Sequence, residues 1–165
     1  MILPTKLTAT VLLATISTSA IAQSKPDFGS IAMCAKLVKM PKGYKPIECD
    51  KRSPLRQCSF TLSSEKLPIR YLVDNKVVAS KWLEFGQLAK LLGPFGLKCG
   101  DRESAAMAKV KKATGLTFES WTDENPGSLY YQSSDIPCRG NAYNVRVFFQ
   151  NGILDMVSVS SLPMN

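Results

Sequence analysis

Residues 142–160 read AYNVRVFFQ, NG and ILDMVSVS, which are two runs of strand-forming side chains on either side of Asn151-Gly152. Asn-Gly is the favoured dipeptide of a two-residue type I′ turn, because both central residues of that turn need positive φ. A two-residue turn also fixes the register, so Val147 is predicted to lie opposite Met156. The stretch therefore predicts an antiparallel hairpin at the end of the chain.

The predicted hairpin has two faces with different side chains. The face expected in the core carries Tyr143, Val145, Val147, Phe149, Leu154 and Met156. The other face carries Asn144, Arg146, Phe148, Asp155, Val157 and Val159. The apolar side chains on this second face indicate either a partner surface or partial cover by a helix or loop.

Upstream of the hairpin, some stretches have an apolar residue at every second position, as in a strand. Others have one at every third or fourth position, as in a helix. Strands are predicted near Ile47 and over residues 58–62, 69–73, 77–83, 116–121 and 128–132. Helices are predicted over residues 27–39, 84–92 and 102–114, the first capped by Asp27 and the last by Asp101. These elements predict an α+β fold, in which about three helices pack on one face of an antiparallel sheet.

Residues 1–22 have the pattern of a secretory signal peptide. Lys6 precedes a short apolar run, and Ala20-Ile21-Ala22 supplies the small side chains that a signal peptidase accepts. We expect one exported domain over residues 23–165, periplasmic or secreted, with no transmembrane segment after the leader is removed. The leader holds one lysine and no acid, so the net charge of +8 becomes +7 in the mature chain.

Five cysteines lie in the predicted mature domain, and an oxidising compartment favours their pairing. Their spacing contains no C-x-x-C, so neither a zinc ribbon nor a thioredoxin-type redox pair is indicated. We predict that Cys49–Cys58 closes the proline-containing loop and that Cys99–Cys138 ties the last helix to the final hairpin. Cys34, on the apolar stripe of the first predicted helix, is then the free thiol.

The chain has no histidine, which excludes catalytic triads and dyads that use histidine and also histidine-ligated zinc. Ser63 and Lys66 match the S-x-x-K pattern of some serine enzymes, but the other motifs of those enzymes are missing. The acidic residues that occur in pairs are close neighbours in the sequence. Such neighbours rarely face each other across a cleft, as the two carboxyl groups of a glycosidase must. We predict a protein that is not an enzyme, with no catalytic residue, metal site or cofactor.

Positive charge is concentrated between residues 36 and 56, and two adjacent tyrosines lie further along the chain. The residues predicted to bind a partner are Lys42, Lys45, Lys51, Arg52, Arg56, Tyr130 and Tyr131. In a strand, one of the two tyrosines must point away from the core. Such a cationic surface favours an acidic protein, with an anionic envelope polymer as the alternative, while an exported protein is not expected to bind nucleic acid.

The predicted order of two helices and four strands from about residue 84 to 161 is similar to one unit of the β-lactamase-inhibitory-protein and BamE-like envelope folds. This resemblance concerns element order and implies a protein-binding role. We therefore expect an exported protein-binding module, an inhibitor or immunity-type protein that neutralises a toxin or cell-wall hydrolase. The alternative is a structural envelope factor that binds anionic glycan or lipid through the basic segment.

Overall fold

The computed structural model describes residues 26–88, 90–122 and 124–161. These described residues are mostly antiparallel β-sheet, with 44% in strands and 13% in helices. The described residues contain one α-helix, so the predicted α+β fold with about three helices is wrong. The predicted leader, residues 1–22, lies outside the described residues.

Nine strands and one helix make up the described fold. The strands are β1 (Tyr44–Cys49), β2 (Gln57–Leu62), β3 (Arg70–Asp74), β4 (Val77–Glu84), β5 (Phe118–Thr122), β6 (Ser128–Ser133), β7 (Ile136–Cys138), β8 (Asn141–Gln150) and β9 (Ile153–Ser160). The helix, α1, covers Glu103–Thr114. The strands pair in the order β1-β2-β3-β4-β9-β8-β6-β5, with β7 paired to β8, and every pairing is antiparallel.

The final hairpin forms at the predicted turn, but a β-bulge changes its register. Phe149 pairs with Leu154, as the two-residue turn requires, whereas Val147 pairs with Val157 and not with Met156. The bulge adds one residue to β9. Because side chains alternate between the two faces of a strand, the remaining residues of β9 lie on the face opposite to the predicted one. Val157 is therefore buried in the core, and Met156 lies on the opposite face.

Residues 27–39, predicted to form the first helix, have no helical structure. The carboxylate of Asp27 accepts a hydrogen bond from the backbone N–H of Met33 (2.8 Å) and forms an ion pair with Lys81. Cys34 has a φ of 59°, and its N–H donates to a carbonyl of β4 at 3.0 Å. These long-range contacts outweigh the helical spacing of apolar residues on which the prediction rested.

The second predicted helix, residues 84–92, is reduced to a single 3₁₀ turn at Phe85–Gln87 among the described residues. Leu88 is buried, whereas Leu91 and Leu92 are 50% and 58% exposed, so the three leucines do not form one buried stripe. Without this helix, the order of elements that resembled the β-lactamase-inhibitory-protein and BamE-like folds is not present.

The third predicted helix is confirmed as α1. Gly115 ends it in the left-handed conformation, with a φ of 67°. Asp101 does not cap it, because Arg102 occupies the N-cap position without a side-chain bond. The Asp101 carboxylate instead accepts a hydrogen bond from the Lys109 ammonium at 2.6 Å. Lys109 on α1 therefore holds the loop that precedes the helix.

Two disulfides connect the described residues. Cys49–Cys58 joins the end of β1 to the start of β2, as predicted. Cys138 pairs with Cys34 and not with Cys99, which is exposed and unpaired. The predicted Cys99–Cys138 bridge and the predicted free thiol at Cys34 are therefore wrong. Because residues 27–39 form an irregular segment on the sheet and not a helix, Cys34 comes within reach of β7.

The sheet has an inner face, which holds the core, and an outer face. Residues 26–40, α1 and the turns between β4 and α1 cover the inner face. Their buried side chains join those of the strands in one cluster, which includes Phe28, Met33, Leu97, Met107, Val110, Val145, Val157 and Val159. Outer-face side chains such as Trp82, Phe148 and Met156 do not belong to this cluster.

Tyr143 is a buried tyrosine whose hydroxyl donates to the carbonyl of Pro26 at 3.2 Å. Burial, with a smaller contribution from the charge of Asp27, raises the pKa of Tyr143 to about 12. An unfolded chain releases the same proton near pH 10. The neutral hydroxyl therefore contributes stability that is intact below pH 10 and is lost as the pH rises toward 12.

We expect the free energy of unfolding to fall above pH 10, with Tyr143 accounting for up to about 1.4 kcal/mol per pH unit. Urea unfolding at several pH values between 8 and 11.5 measures this loss. The Tyr143→Phe variant should lose less stability over the same range, because its side chain does not titrate. Equal pH slopes for the variant and the wild type would contradict the assignment.

Candidate functional site

The outer face carries a row of large apolar side chains across four paired strands. Trp121 on β5 lies opposite Tyr130 on β6, which lies opposite Phe148 on β8. Phe148 in turn lies opposite Met156 on β9. The rings of Tyr130 and Phe148 stack with centroids 5.4 Å apart. We call these four residues, together with Trp82, the apolar patch.

A second row, parallel to the first, contains the polar residues of the outer face. Gln132 on β6 lies opposite Arg146 on β8, and Arg146 lies opposite Ser158 on β9. Trp82 on β4 completes the row opposite Ser158. We call Gln132, Arg146 and Ser158 the arginine site. Because residues two positions apart on a strand lie on the same face, about 7 Å apart, this site is bordered directly by the apolar patch.

Arg146 is a nearly buried cation with an incomplete set of hydrogen bonds. It is 6% exposed, and its Nε donates to Oε1 of Gln132 at 2.8 Å. Its Nη1 and the Oγ of Ser158 have no hydrogen-bond partner among the described residues. Burial lowers the pKa of Arg146, and Tyr130 opposes that shift. An arginine still keeps its charge at neutral pH, so the outer face contains a fixed positive charge that is almost wholly buried.

A shallow hollow of about 230 Å³ adjoins the arginine site. It is lined by Ser80, Trp82, Met156 and Ser158. Ser158 is therefore shared between the hollow and the arginine site. The indole of Trp82 and the thioether of Met156 give the hollow an apolar wall, which suits an apolar side chain of a partner.

The five predicted basic residues lie at the other end of the strand order. Lys42, Lys45, Lys51, Arg52 and Arg56 are all exposed, on β1, just before it, or in the loop that follows it. None of them forms a salt bridge with another described residue. They form a basic edge that the sheet separates from the apolar patch by several strands.

The two predicted tyrosines lie on opposite faces of β6. Tyr130 belongs to the apolar patch, whereas Tyr131 faces α1 and its hydroxyl donates to Oε1 of Glu103 at 2.6 Å. This hydrogen bond and burial raise the pKa of Tyr131. Tyr131 is therefore a structural contact between sheet and helix, and Tyr130 is the tyrosine that a partner can reach.

The sequence prediction missed the arginine site and three residues of the apolar patch, which are Trp82, Trp121 and Met156. It placed Arg146 and Phe148 on the second face of the hairpin but assigned Met156 to the core. One signal was available, because Arg146 is the only charged residue within the strand run 142–150.

No protein-family model, curated protein or solved structure matches this chain. Within residues 26–88, 90–122 and 124–161, no helix is long and apolar enough to cross a membrane. The same residues contain no group of three side chains placed to hold a metal ion. The outer face and the charge of the chain are therefore the features that bear on its function.

Proposed function

We propose that this chain is an exported protein-binding module whose docking surface is the outer face of the sheet. The observation that carries the proposal is the apolar patch, which lies outside the core cluster and borders the arginine site. Large aromatic side chains and arginine dominate the energetics of protein interfaces. In the most specific form of the proposal, the module neutralises a toxin or cell-wall hydrolase, as an inhibitor or immunity-type protein does.

The charge of the chain supports an acidic partner. The sequence has a net charge of +8, and five of its cations are exposed together at the basic edge. Complementary charge raises the rate of association and disfavours wrong partners. A cationic hydrolase is therefore a poor candidate for the partner.

The two disulfides are consistent with an exported, non-cytoplasmic protein. Cys34–Cys138 joins residues that are 104 positions apart, and Cys49–Cys58 joins the adjacent strands β1 and β2, so both bridges restrain the chain around the sheet. A rigid binding surface loses less conformational entropy when the partner binds. Export and a preorganised surface are both properties that an inhibitor or immunity-type protein needs.

A photo-crosslinking amino acid at position 148, in the mature protein, tests the proposal in envelope extract. We expect one acidic protein to be crosslinked from this position and not from position 92, where Leu92 is 58% exposed but lies outside the apolar patch. With the purified partner, Tyr130→Ala should weaken binding by roughly 30-fold, the effect of a single interface hot spot.

The matched control is Ile47→Ala, which removes an apolar side chain that is 52% exposed on the edge strand β1. This variant should bind the purified partner as the wild type does. Crosslinking of the same proteins from positions 148 and 92, or equal losses for Tyr130→Ala and Ile47→Ala, would contradict the proposed surface.

The second candidate function is binding of anionic glycan or lipid through the basic edge, and the exposure of its five cations favours it. The same purified protein can be sedimented with sacculi or with anionic vesicles. Replacing Lys42, Lys45, Lys51 and Arg52 by Gln should abolish polymer binding but only slow a protein complex. Sedimentation that depends on these four residues, without a protein adduct from position 148, would favour this second function.

A further inference from the structure

The strands β1 and β5 lie at the two ends of the strand order, and β1 is protected against pairing with another chain. The N–H of Ser63 donates to the carbonyl of Gly43 at 3.0 Å, so the alternating ladder directs the backbone of Pro46 away from β2. Proline has no N–H, and a β-bulge follows it. Proline, bulges and lysines such as Lys45 are the usual protections of a sheet edge.

The strand β5 has none of these protections. Its five residues, FESWT, include no proline or lysine, four of them are exposed, and its pairing with β6 has no bulge. The N–H of Ser134 donates to the carbonyl of Thr117 at 3.3 Å, which fixes the alternation of the ladder between the two strands. The ladder directs the backbone N–H and C=O of three residues away from β6: Phe118, Ser120 and Thr122. No described strand pairs with this side of β5, which we call the open edge.

The hairpin of β5 and β6 is acidic, although the chain as a whole is basic. Residues 113–138 contain four acidic residues and no lysine or arginine, while the net charge of the sequence is +8. Glu119 on β5 and Asp135 after β6 line a second hollow, of about 260 Å³, together with the half-exposed Trp121. Neither carboxylate forms a salt bridge with another described residue. The charge of the carboxylates and the face of the indole therefore both favour a cationic side chain in this hollow.

We propose that the open edge of β5 binds an extended, cationic segment of the partner protein, which joins the sheet as a further antiparallel strand. This inference rests on the proposed function and names the conformation and the local charge of the segment that docks. Trp121 belongs to the apolar patch and also lines the second hollow, so the added strand lies beside the proposed docking surface. The cation is a local feature of this segment, whereas the net charge of an acidic partner acts over a longer range.

The geometry of a strand pair specifies which residues of the segment are recognised. Because Ser120 pairs through its backbone, the side chains of Glu119 and Trp121 are close to those of the two opposite residues on the outer face. In an antiparallel segment, the residue opposite Trp121 precedes the residue opposite Glu119 by two positions. The recognised sequence is therefore an apolar residue followed, two positions later, by lysine or arginine.

Two libraries of synthetic nonapeptides provide the probe. All peptides are N-acetylated and C-amidated and carry Leu at position 4, and position 6 is Arg in one library and Glu in the other. We expect the mature wild-type protein to select binders from the Arg library. In the best binder, an N-methyl group on residue 5 should weaken binding by roughly 10-fold or more, because it removes the N–H that pairs with Ser120. The same group on residue 4 is the matched control, since that N–H points away from β5.

Variants of the protein test the same contacts. Ser120→Pro removes an N–H from the open edge but no bond to β6, so it should abolish peptide binding and leave the unfolding midpoint near that of the wild type. Glu119→Gln should remove the preference for Arg over Glu at position 6. Glu48→Gln makes the same change on the protected strand β1 and should keep this preference.

Amide hydrogen exchange of the wild type tests the added strand without any substitution. The best peptide should slow exchange at Ser120, whose N–H lies on the open edge, and should change nothing on β1. This measurement and the N-methyl peptides decide the question even where Ser120→Pro does not fold. Unchanged exchange at Ser120 with the peptide bound would overturn the proposal.

The remaining outcomes are also decisive. Equal selection from both libraries, no Arg-dependent binder at millimolar concentration, or equal losses from the two N-methyl groups would each overturn the proposal. A wild type that self-associates and becomes monomeric with Ser120→Pro would overturn it as well, since a second copy of the chain then occupies the edge.

The proposed function can fail separately from this inference. If Ser120→Pro gives the same yield of protein adduct from position 148 as the wild type, the strand inference fails and the outer face stays the docking surface. If position 148 yields no protein adduct while Arg peptides bind β5 as expected, the proposed docking surface fails and the strand-binding edge is supported.

Discussion

Replacing Cys34 and Cys138 together by alanine is expected to lower the free energy of unfolding by about 4–5 kcal/mol. The bridge joins residues that are 104 positions apart, so its loss frees most of the chain in the unfolded state. The chain-entropy model predicts a stabilisation that grows with the logarithm of the closed loop. The double substitution avoids leaving a single reactive thiol, and urea unfolding of the mature protein measures the change.

The second bridge and the unpaired cysteine supply matched controls. Cys49 and Cys58 are only 9 positions apart, so their replacement should cost less, about 2–3 kcal/mol. Cys99→Ser alters an exposed residue outside both bridges and should change stability by less than about 0.5 kcal/mol. A larger loss for the short bridge, or a non-reducing peptide map in which Cys99 and not Cys34 is joined to Cys138, would contradict the pairing.

The strands could be predicted from the sequence because their signals are local. Alternating apolar residues and the Asn151-Gly152 turn are enough to place β8 and β9. The register beyond the turn depends on a β-bulge, which no dipeptide in the sequence predicts. The one extra residue of this bulge places Val157, and not Met156, in the core. The helix predicted over residues 27–39 failed because a contact with Lys81, far along the chain, determines the conformation of that segment.

The candidate site was less predictable than the fold, since it is assembled from five strands. Alternation shows that one of Tyr130 and Tyr131 points outward, but only the pairing with β8 decides which one. Trp82 reaches the same face because β4 pairs with β9, a connection between distant parts of the sequence. The density of positive charge in the sequence indicated the basic edge, whereas the apolar patch becomes visible only when the strands are paired.

Lys81 is a fully buried cation in the centre of the inner face. Its ammonium forms an ion pair with Asp27 and donates to the carbonyls of Phe28 and Ile31, the latter at 2.8 Å. Burial lowers the pKa of Lys81, and the hydrogen bond and charge of Asp27 oppose that shift. All three partners belong to the irregular segment at residues 26–40, so this one side chain fixes that segment to the sheet.

Asp27→Asn is expected to lower the free energy of unfolding by about 3–5 kcal/mol, because it leaves the buried ammonium of Lys81 without its counter-charge. The amide keeps the shape of the carboxylate, so the loss reports on charge and not on packing. Urea unfolding measures this loss, with Asp50→Asn as the control. Asp50 also accepts a hydrogen bond from a backbone N–H, that of Arg52 at 2.9 Å, but it has no cationic partner among the described residues. Adding Lys81→Met to Asp27→Asn removes the uncompensated cation and should recover part of the lost stability. If the double variant is instead as unstable as the sum of its two single variants, the two side chains are not coupled and the ion pair does not fix the segment.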